Sequence, residues 1–273
     1  MSDKYKRYHK IAKIGSGGMG DVFRVLDMDL GRECALKCVP LQVASESGVE
    51  GIKPSGRLLR EVSIMTGIQD PNVVYIYDHF QHESQLCIVM ELCQISVADW
   101  VQQRESFSLL TTLEMANQIL SALILIHDNG IIHRDIKPQN FLLSTNSKQI
   151  YIIDFGISTP YLDHKKKHKP ITYNDNIMGT IDFISYYLHE GLSASRRDDL
   201  ISMIYVIIYM YNNILPWQIN NVKSIYEMKY NIPPNILCKG LPEKINTILV
   251  YCYSLEYIDE PNYEYIRFLF ETM

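Results

Sequence analysis

The sequence predicts an α+β fold in two lobes, a small strand-rich one followed by a larger helical one. Three observations carry this. Short runs of strand-type residues, broken by glycine-containing turns, fill roughly the first ninety positions. After Glu91 the apolar residues recur at helical intervals instead. Much later, Leu200 to Tyr211 (LISMIYVIIYMY) is apolar all round, the pattern of a helix buried on every side.

Taken in order, Tyr8 to Ile14 and Asp21 to Leu26 read as strands flanking a glycine cluster, and Asp29-Leu30-Gly31 as the turn into a third strand, Glu33 to Val39. Val43 to Gly56 reads as loop. Leu58, Leu59, Val62 and Met65 give Arg57 to Thr66 a helical spacing. Strand character returns at Val73 to Phe80 and Gln85 to Met90. Leu110 to Asp128 is the first long helix, with Asn129-Gly130 as its C-cap. A strand at Ile150 to Ile153 and further helices with long loops complete the chain.

The chain has 273 residues, 47% apolar and 21% charged, with a net charge of -5. That composition fits a globular chain with a full core, and excludes dominant disorder. The acidic excess argues against a nucleic-acid binder. Six cysteines occur without any CxxC pair and read as free thiols of a reducing, intracellular compartment, cytoplasmic or nuclear. MSDKYKRYHK has no apolar segment of a secretory signal. The apolar run at Leu200 to Tyr211 falls short of the ~20 residues a bilayer span needs, so no membrane partner is expected.

Chemistry is concentrated in four places. Gly15-Ser16-Gly17-Gly18-Met19-Gly20-Asp21-Val22 fits G-x-G-x-x-G-x-V. A dinucleotide site needs a helix after its glycines, whereas here a strand follows, so the loop reads as a hairpin whose bare backbone can lie over phosphates. Lys37, in Ala35-Leu36-Lys37-Cys38, is either an edge-strand lysine that snorkels or a phosphate-holding ammonium oriented by a carboxylate of the next helix, with Glu61 the candidate. Arg60 competes for Glu61 from the same turn.

The third place is Ile131-Ile132-His133-Arg134-Asp135-Ile136-Lys137-Pro138-Gln139-Asn140. Asp135 can accept a hydroxyl proton, Lys137 can steady a γ-phosphate, and Asn140 can bind a metal ion. The fourth is Ile153-Asp154-Phe155-Gly156, where Asp154 offers a hard oxygen to Mg²⁺. In one chain and in this order, the four point to phosphoryl transfer from ATP by positioning and charge neutralisation.

These motifs resemble the eukaryotic protein kinase family, from about Tyr8 to the C-terminus. The resemblance implies one kinase domain over 1–273, with a small lobe at 8–90, a hinge at 91–94 and a large lobe at 95–273. It implies ATP and Mg²⁺ as cofactors. Nucleotide contacts would come from Ile14, Gly15, Ser16, Gly17, Gly18, Met19, Gly20, Val22, Ala35 and Lys37, with Met90 as gatekeeper and the backbone of Glu91 and Cys93 as hinge. Catalysis would fall to Asp135, Lys137, Lys37 and Glu61, and metal binding to Asn140 and Asp154. Lys137-Pro138 and Gly179-Thr180 look like the serine/threonine class, so the expected partners are protein substrates with Ser/Thr acceptors, acidic ones included, acted on by a monomer.

Ser185, His189, Gly191, Ser195-Arg196-Arg197-Asp198-Asp199-Leu200, Leu215-Pro216-Trp217-Gln218 and Leu237-Cys238-Lys239-Gly240 are similar to the casein kinase 1 family. In that family an aspartate like Asp199 braces the catalytic loop. The departures are Asp182 where an arginine is usual, Tyr187 where an asparagine is usual, and a basic cluster reduced to Lys223 and Lys229. His164-Lys165-Lys166-Lys167-His168-Lys169 is either a solvated loop tip or a replacement for the charge lost at Asp182. A scaffold without turnover on the same fold is the alternative function, against which Lys37, Asp135, Asn140 and Asp154 all stand.

Overall fold

The computed structural model describes residues 4–17, 20–43, 52–53, 56–68, 70–104, 106–144, 149–173, 177–218 and 222–273. The chain forms two compact units, Met1–Gln94 and Ile95–Met273. Its class is α+β, a strand-rich antiparallel N-terminal sheet followed by a helical C-terminal region.

In the first unit, β1 (Tyr8–Gly17), β2 (Gly20–Asp27), β3 (Arg32–Pro40), β6 (Ile76–His82) and β7 (Gln85–Met90) form one sheet in the order β1-β2-β3-β7-β6. Every neighbouring pair is antiparallel. The two-residue strands β4 (Gln42–Val43) and β5 (Ile52–Lys53) pair with each other, so the stretch read as loop is closed by a short ladder; 44–51 and 54–55 lie outside the described residues. Helix α1 is Gly56–Gly67. The strand expected from Val73 begins only at Ile76: Val73 and Val74 are buried, but the turn set by the Val73 N–H on Asp70 O precedes the ladder.

Strand β3 is central and has two buried faces. Cys34, Leu36 and Cys38 pack with Tyr8, Val25, Cys87 and Val89 on one side. Val39 packs on the other with Val62 of α1, Leu86 and Ile88. Side chains alternate along a strand, so Lys37 shares the face of Val39 and looks toward α1. Lys37 is thus no edge-strand lysine.

The second unit is built on two antiparallel ribbons and a set of helices. β8 (Ile95–Ser96), β10 (Phe141–Leu143) and β11 (Ile150–Ile152) form a three-stranded sheet, and β9 (Ile131–Ile132) pairs with β12 (Thr159–Pro160). The helices are α2 (Val97–Arg104), α3 (Leu109–Asp128), α4 (Tyr186–His189), α5 (Arg196–Asn212), α6 (Val222–Asn231), α7 (Pro234–Leu237), α8 (Glu243–Ser254) and α9 (Tyr263–Glu271).

Helix α3 is, by length and apolarity alone, long enough to cross a bilayer, a test that core helices of soluble domains also pass. Its residues Met115, Ala116, Ile119, Leu120, Leu123 and Ile126 are buried within the unit. Helix α5 starts four residues before the apolar run seen in the sequence, at Arg196, and residues 196–210 are all buried. Its charged first turn tolerates burial because Asp198 accepts from the N–H of Ser195 at 2.7 Å and from the Ser185 hydroxyl. Arg196 and Arg197 donate to the carbonyls of Asp259 and Leu255 at 2.9 and 3.0 Å. Asn213, in the left-handed region at φ 62°, ends the helix.

Candidate active site

The first unit brings together the glycine hairpin and an ion pair. β1 and β2 pair up to Gly17 opposite Gly20, with a bulge between Lys13 and Gly15 that leaves Ile14 unpaired and half-exposed. Gly18 and Met19 lie outside the described residues. Gly20 has φ 114°, and a Cβ there would collide with the carbonyl oxygen of Cys38, so the third glycine of the motif is demanded by the sheet itself. Ser16 donates its hydroxyl to Asp21 Oδ1 at 2.8 Å, and Lys13 pairs with the same oxygen.

Val22 sits opposite Lys37, and Ala35 opposite Met90, across neighbouring ladders. Lys37 Nζ donates to Glu61 Oε1 at 2.6 Å, with both side chains largely buried. β3 and α1 therefore supply an ammonium whose position is fixed by a carboxylate. Glu91–Gln94 carry no regular structure; the Glu91 N–H donates to Tyr75 O at 3.0 Å, and burial pushes the Cys93 thiol up to about 12.

The second unit brings together Asp135, Lys137, Asn140 and Asp154. Register does most of this. Phe141 faces Ile152 across β10 and β11, so the chain one step outward places Asn140 beside Ile153, whose N–H donates to Asn140 O at 3.0 Å. Thr159 faces Ile132 across β12 and β9, which folds the segment after Asp154 back onto the strand before His133.

The loop 133–135 is held from below. Asp199, buried in the first turn of α5, accepts the N–H of His133 at 2.8 Å and of Arg134 at 2.9 Å. Its Oδ2 also lies 3.0 Å from His127 Nε2, and His127 Nδ1 lies 2.7 Å from the Tyr263 hydroxyl. Burial pushes the Asp199 carboxyl up, but these donors outweigh it and hold the carboxyl below its ordinary range. Arg134 (φ 73°) and Asp154 (φ 68°) occupy the left-handed region, which costs about 1–2 kcal/mol for a residue with a Cβ and is sustained by such bonds. The His133 ring donates through Nε2 to Ile153 O at 3.1 Å and accepts the Asp135 N–H at Nδ1 at 3.3 Å, tying the two halves of the site through one imidazole.

Asp135 is the centre. Its Oδ1 accepts the N–H and hydroxyl of Thr180 at 3.1 and 2.8 Å. Its Oδ2 takes Lys137 Nζ at 2.7 Å and Asn140 Nδ2 at 3.1 Å. Lys137 also donates to Thr180 Oγ1 at 2.9 Å. Thr180 can reach Asp135 because Gly179, at φ 98°, lies against Arg134 O, where a Cβ would be 2.7 Å away. The sequence marked Thr180 only as a class signature, and nothing local in it announces this contact.

The oxygens fit a divalent cation. Asn140 Nδ2 is turned onto the main-chain and carboxylate oxygens of Asp135 at 2.8 and 3.1 Å, which leaves its amide oxygen as the group it can offer, and the Asp154 carboxylate accepts the Gly156 N–H at 3.2 Å. One carboxylate and one amide oxygen suit Mg²⁺, which keeps waters and binds through one or two protein ligands together with phosphates.

Two of the departures from the resembled family, Tyr187 and Lys229, have defined surroundings, and so does the basic run. Tyr187 lies flat under the Arg197 guanidinium, 3.5 Å from the ring centroid. Lys229 is not a surface charge; it is 1% exposed. The Lys223 side chain lies outside the described residues. The basic run is a tight hairpin: Asp163 Oδ1 accepts the N–H groups of Lys165 and Lys167 at 2.7 and 2.9 Å, and Lys166 is left-handed at φ 58°. Lys165, Lys166, Lys167 and Lys169 are exposed; Lys169 also donates to Pro160 O at 2.6 Å, and the His168 ring packs between Tyr161 and Tyr257. Arg134 lines a cavity of about 350 Å³ with Lys169, Thr172 and Tyr257.

The family model for the protein kinase domain matches residues 8–251, which span the glycine hairpin, the Lys37–Glu61 pair, the Asp135 centre and Asp154. The chain belongs to the protein kinase family.

Proposed function

We propose that the chain is an active, ATP-dependent serine/threonine protein kinase of casein kinase 1-like type, with Asp135 as the base. The observation that carries this is the Asp135 carboxylate, converged on by Thr180, Lys137 and Asn140 at 2.7–3.1 Å. Asp135 takes the proton of the acceptor hydroxyl as the phosphoryl group arrives. Lys137, anchored between Asp135 and Thr180, neutralises charge gathering on that group. Lys37, oriented by Glu61, and the backbone of the glycine hairpin hold the nucleotide phosphates. When bound, Mg²⁺ neutralises phosphate charge, and Asn140 and Asp154 would hold it.

Serine/threonine preference is supported by the Lys137–Thr180–Asp135 chain, and the casein kinase 1-like type by the resemblance of residues 195–200, 215–218 and 237–240 to that family. Lys165, Lys166 and Lys167 form an exposed positive tip suited to acidic segments of a protein substrate. Six free cysteines, five of them buried, support a reducing intracellular setting.

The test is transfer of labelled phosphate from Mg·ATP to casein and to a peptide library by the purified chain, beside Asp135→Asn. Turnover falling about 100-fold or more in the variant, with nucleotide binding retained, is the expected result. Equal turnover in both proteins refutes the assignment of Asp135. Nucleotide binding without transfer by the wild type identifies a binding module instead.

A further inference from the structure

Lys229 of α6 is among the most deeply buried groups of its unit, at 1% exposure. Burying an ammonium costs several kcal/mol unless its donors are matched. Here all three are. Nζ lies 2.6 Å from Ile181 O, 2.7 Å from Ile184 O and 3.3 Å from His189 Nε2. The rings of Trp217 and Tyr205 lie 5.1 and 5.4 Å away. A leucine or methionine would fill this space more cheaply, so the donors themselves are what the position supplies.

The two carbonyl acceptors belong to one short segment, and His189 follows on α4. Residues 181–184 form an irregular turn closed by the Phe183 and Ile184 N–H groups on Thr180 O, at 2.8 and 3.1 Å. Trp217 adds a third hold from the same side, donating Nε1 to Asp182 O at 2.8 Å. The carbonyls of 181, 182 and 184 are thus gripped from behind, while Thr180 at the front of the turn meets Asp135.

We infer that Lys229 is a positioning residue for phosphoryl transfer, clamping the 181–184 turn so that Thr180 stays on the Asp135 carboxylate. This rests on the reading of Asp135 as the base. Lys229 touches no reacting group; it acts through Thr180. The turn follows Thr180 directly, so the clamp acts on the Asp135 centre. Burial pushes the Lys229 ammonium down, and the neighbouring Asp182 carboxylate opposes that by favouring the charged form.

The experiment is a double-mutant cycle between Lys229→Met and Thr180→Val, read as peptide kinetics, together with amide hydrogen exchange. Lys229→Met should lower kcat for a peptide about tenfold, as small misplacements near the reacting atoms do, while ATP-analogue affinity stays within about twofold. In the Thr180→Val background the same change should cost less than about twofold more. Multiplicative losses in the cycle, or equal losses of peptide turnover and nucleotide affinity, overturn the proposal and leave Lys229 a core residue.

Hydrogen exchange separates this outcome from failure of the catalytic assignment. Protection of the Thr180 N–H should drop in Lys229→Met even if the wild type transfers no phosphate, and unchanged protection refutes the clamp. Should Lys229→Met not fold, Trp217→Phe removes the neighbouring hold on Asp182 O and enters the same cycle with the same expected results.

Discussion

Thr180 gives both its N–H and its hydroxyl to a single oxygen of Asp135, Oδ1, at 3.1 and 2.8 Å, while accepting from Lys137 at 2.9 Å. Its side chain is therefore the middle member of a three-residue chain, and the carboxylate is aimed from the 180–184 segment as well as from its own loop. A hydrogen bond to a charged group contributes about 1.5–3 kcal/mol, so Thr180→Val should lower turnover on peptides about 10- to 100-fold. Thr180→Ser keeps the hydroxyl and should stay near the wild type. A valine variant with wild-type kcat would remove Thr180 from the site.

Lys37 and Glu61 form a pair in which stability and activity can be separated. Lys37→Met strands the Glu61 carboxylate, whose side chain is 4% exposed, and should destabilise the protein by about 3 kcal/mol. Adding Glu61→Leu removes the stranded charge, so the double variant should recover most of that stability in thermal unfolding while recovering no phosphoryl transfer. Recovery of both would mean the pair serves the fold alone.

The lysine hairpin makes an electrostatic prediction. Asp163 fixes the turn and His168 anchors its base, so Lys165, Lys166 and Lys167 are displayed outward on a defined frame. Replacing all three by glutamine should raise KM for acidic peptides several-fold, with kcat nearly constant. The effect should be largest at low ionic strength, because the Debye length shrinks from ~30 Å at 0.01 M salt to ~8 Å at 0.15 M. An unchanged KM at low salt leaves the hairpin as a solvated tip.

Local features were readable in the sequence and distant pairings were not. The β1–β3 hairpins, helix α3 and the buried α5 follow from alternation, helical spacing and caps, all of which act within one element. The Asp135, Lys137 and Asn140 set was readable because the three lie in one short loop. Arg60 left the partner of Glu61 ambiguous, and it took the pleat of β3 to show that Lys37 faces α1. The Thr180–Asp135 contact joins residues 45 positions apart, and the His127–Asp199 contact residues 72 apart. The sequence shows Lys229 only as one of two lysines left of a basic cluster. Its burial is set by carbonyls that arrive from the 181–184 turn, and no residue near it in sequence records them.

His189 gives a pH dependence with a definite sign. Its ring accepts from Lys229, and burial first, then the neighbouring Lys229 charge, pulls it down to about 4, against about 6.5 in an unfolded chain. Between these values the unfolded state binds more protons than the folded one, so stability rises with pH across that window. The contribution is complete above about pH 6.5 and is lost as pH falls toward about 4, where the ring charges beside a buried ammonium. His189→Gln keeps an acceptor for Lys229 but does not titrate. Its Tm should therefore fall less than the wild type's between about pH 6.5 and 4.5, with the two curves converging in slope above about pH 7. Parallel curves across the acid range would show that His189 titrates as it does in the unfolded chain, and that Lys229 does not depend on a neutral ring.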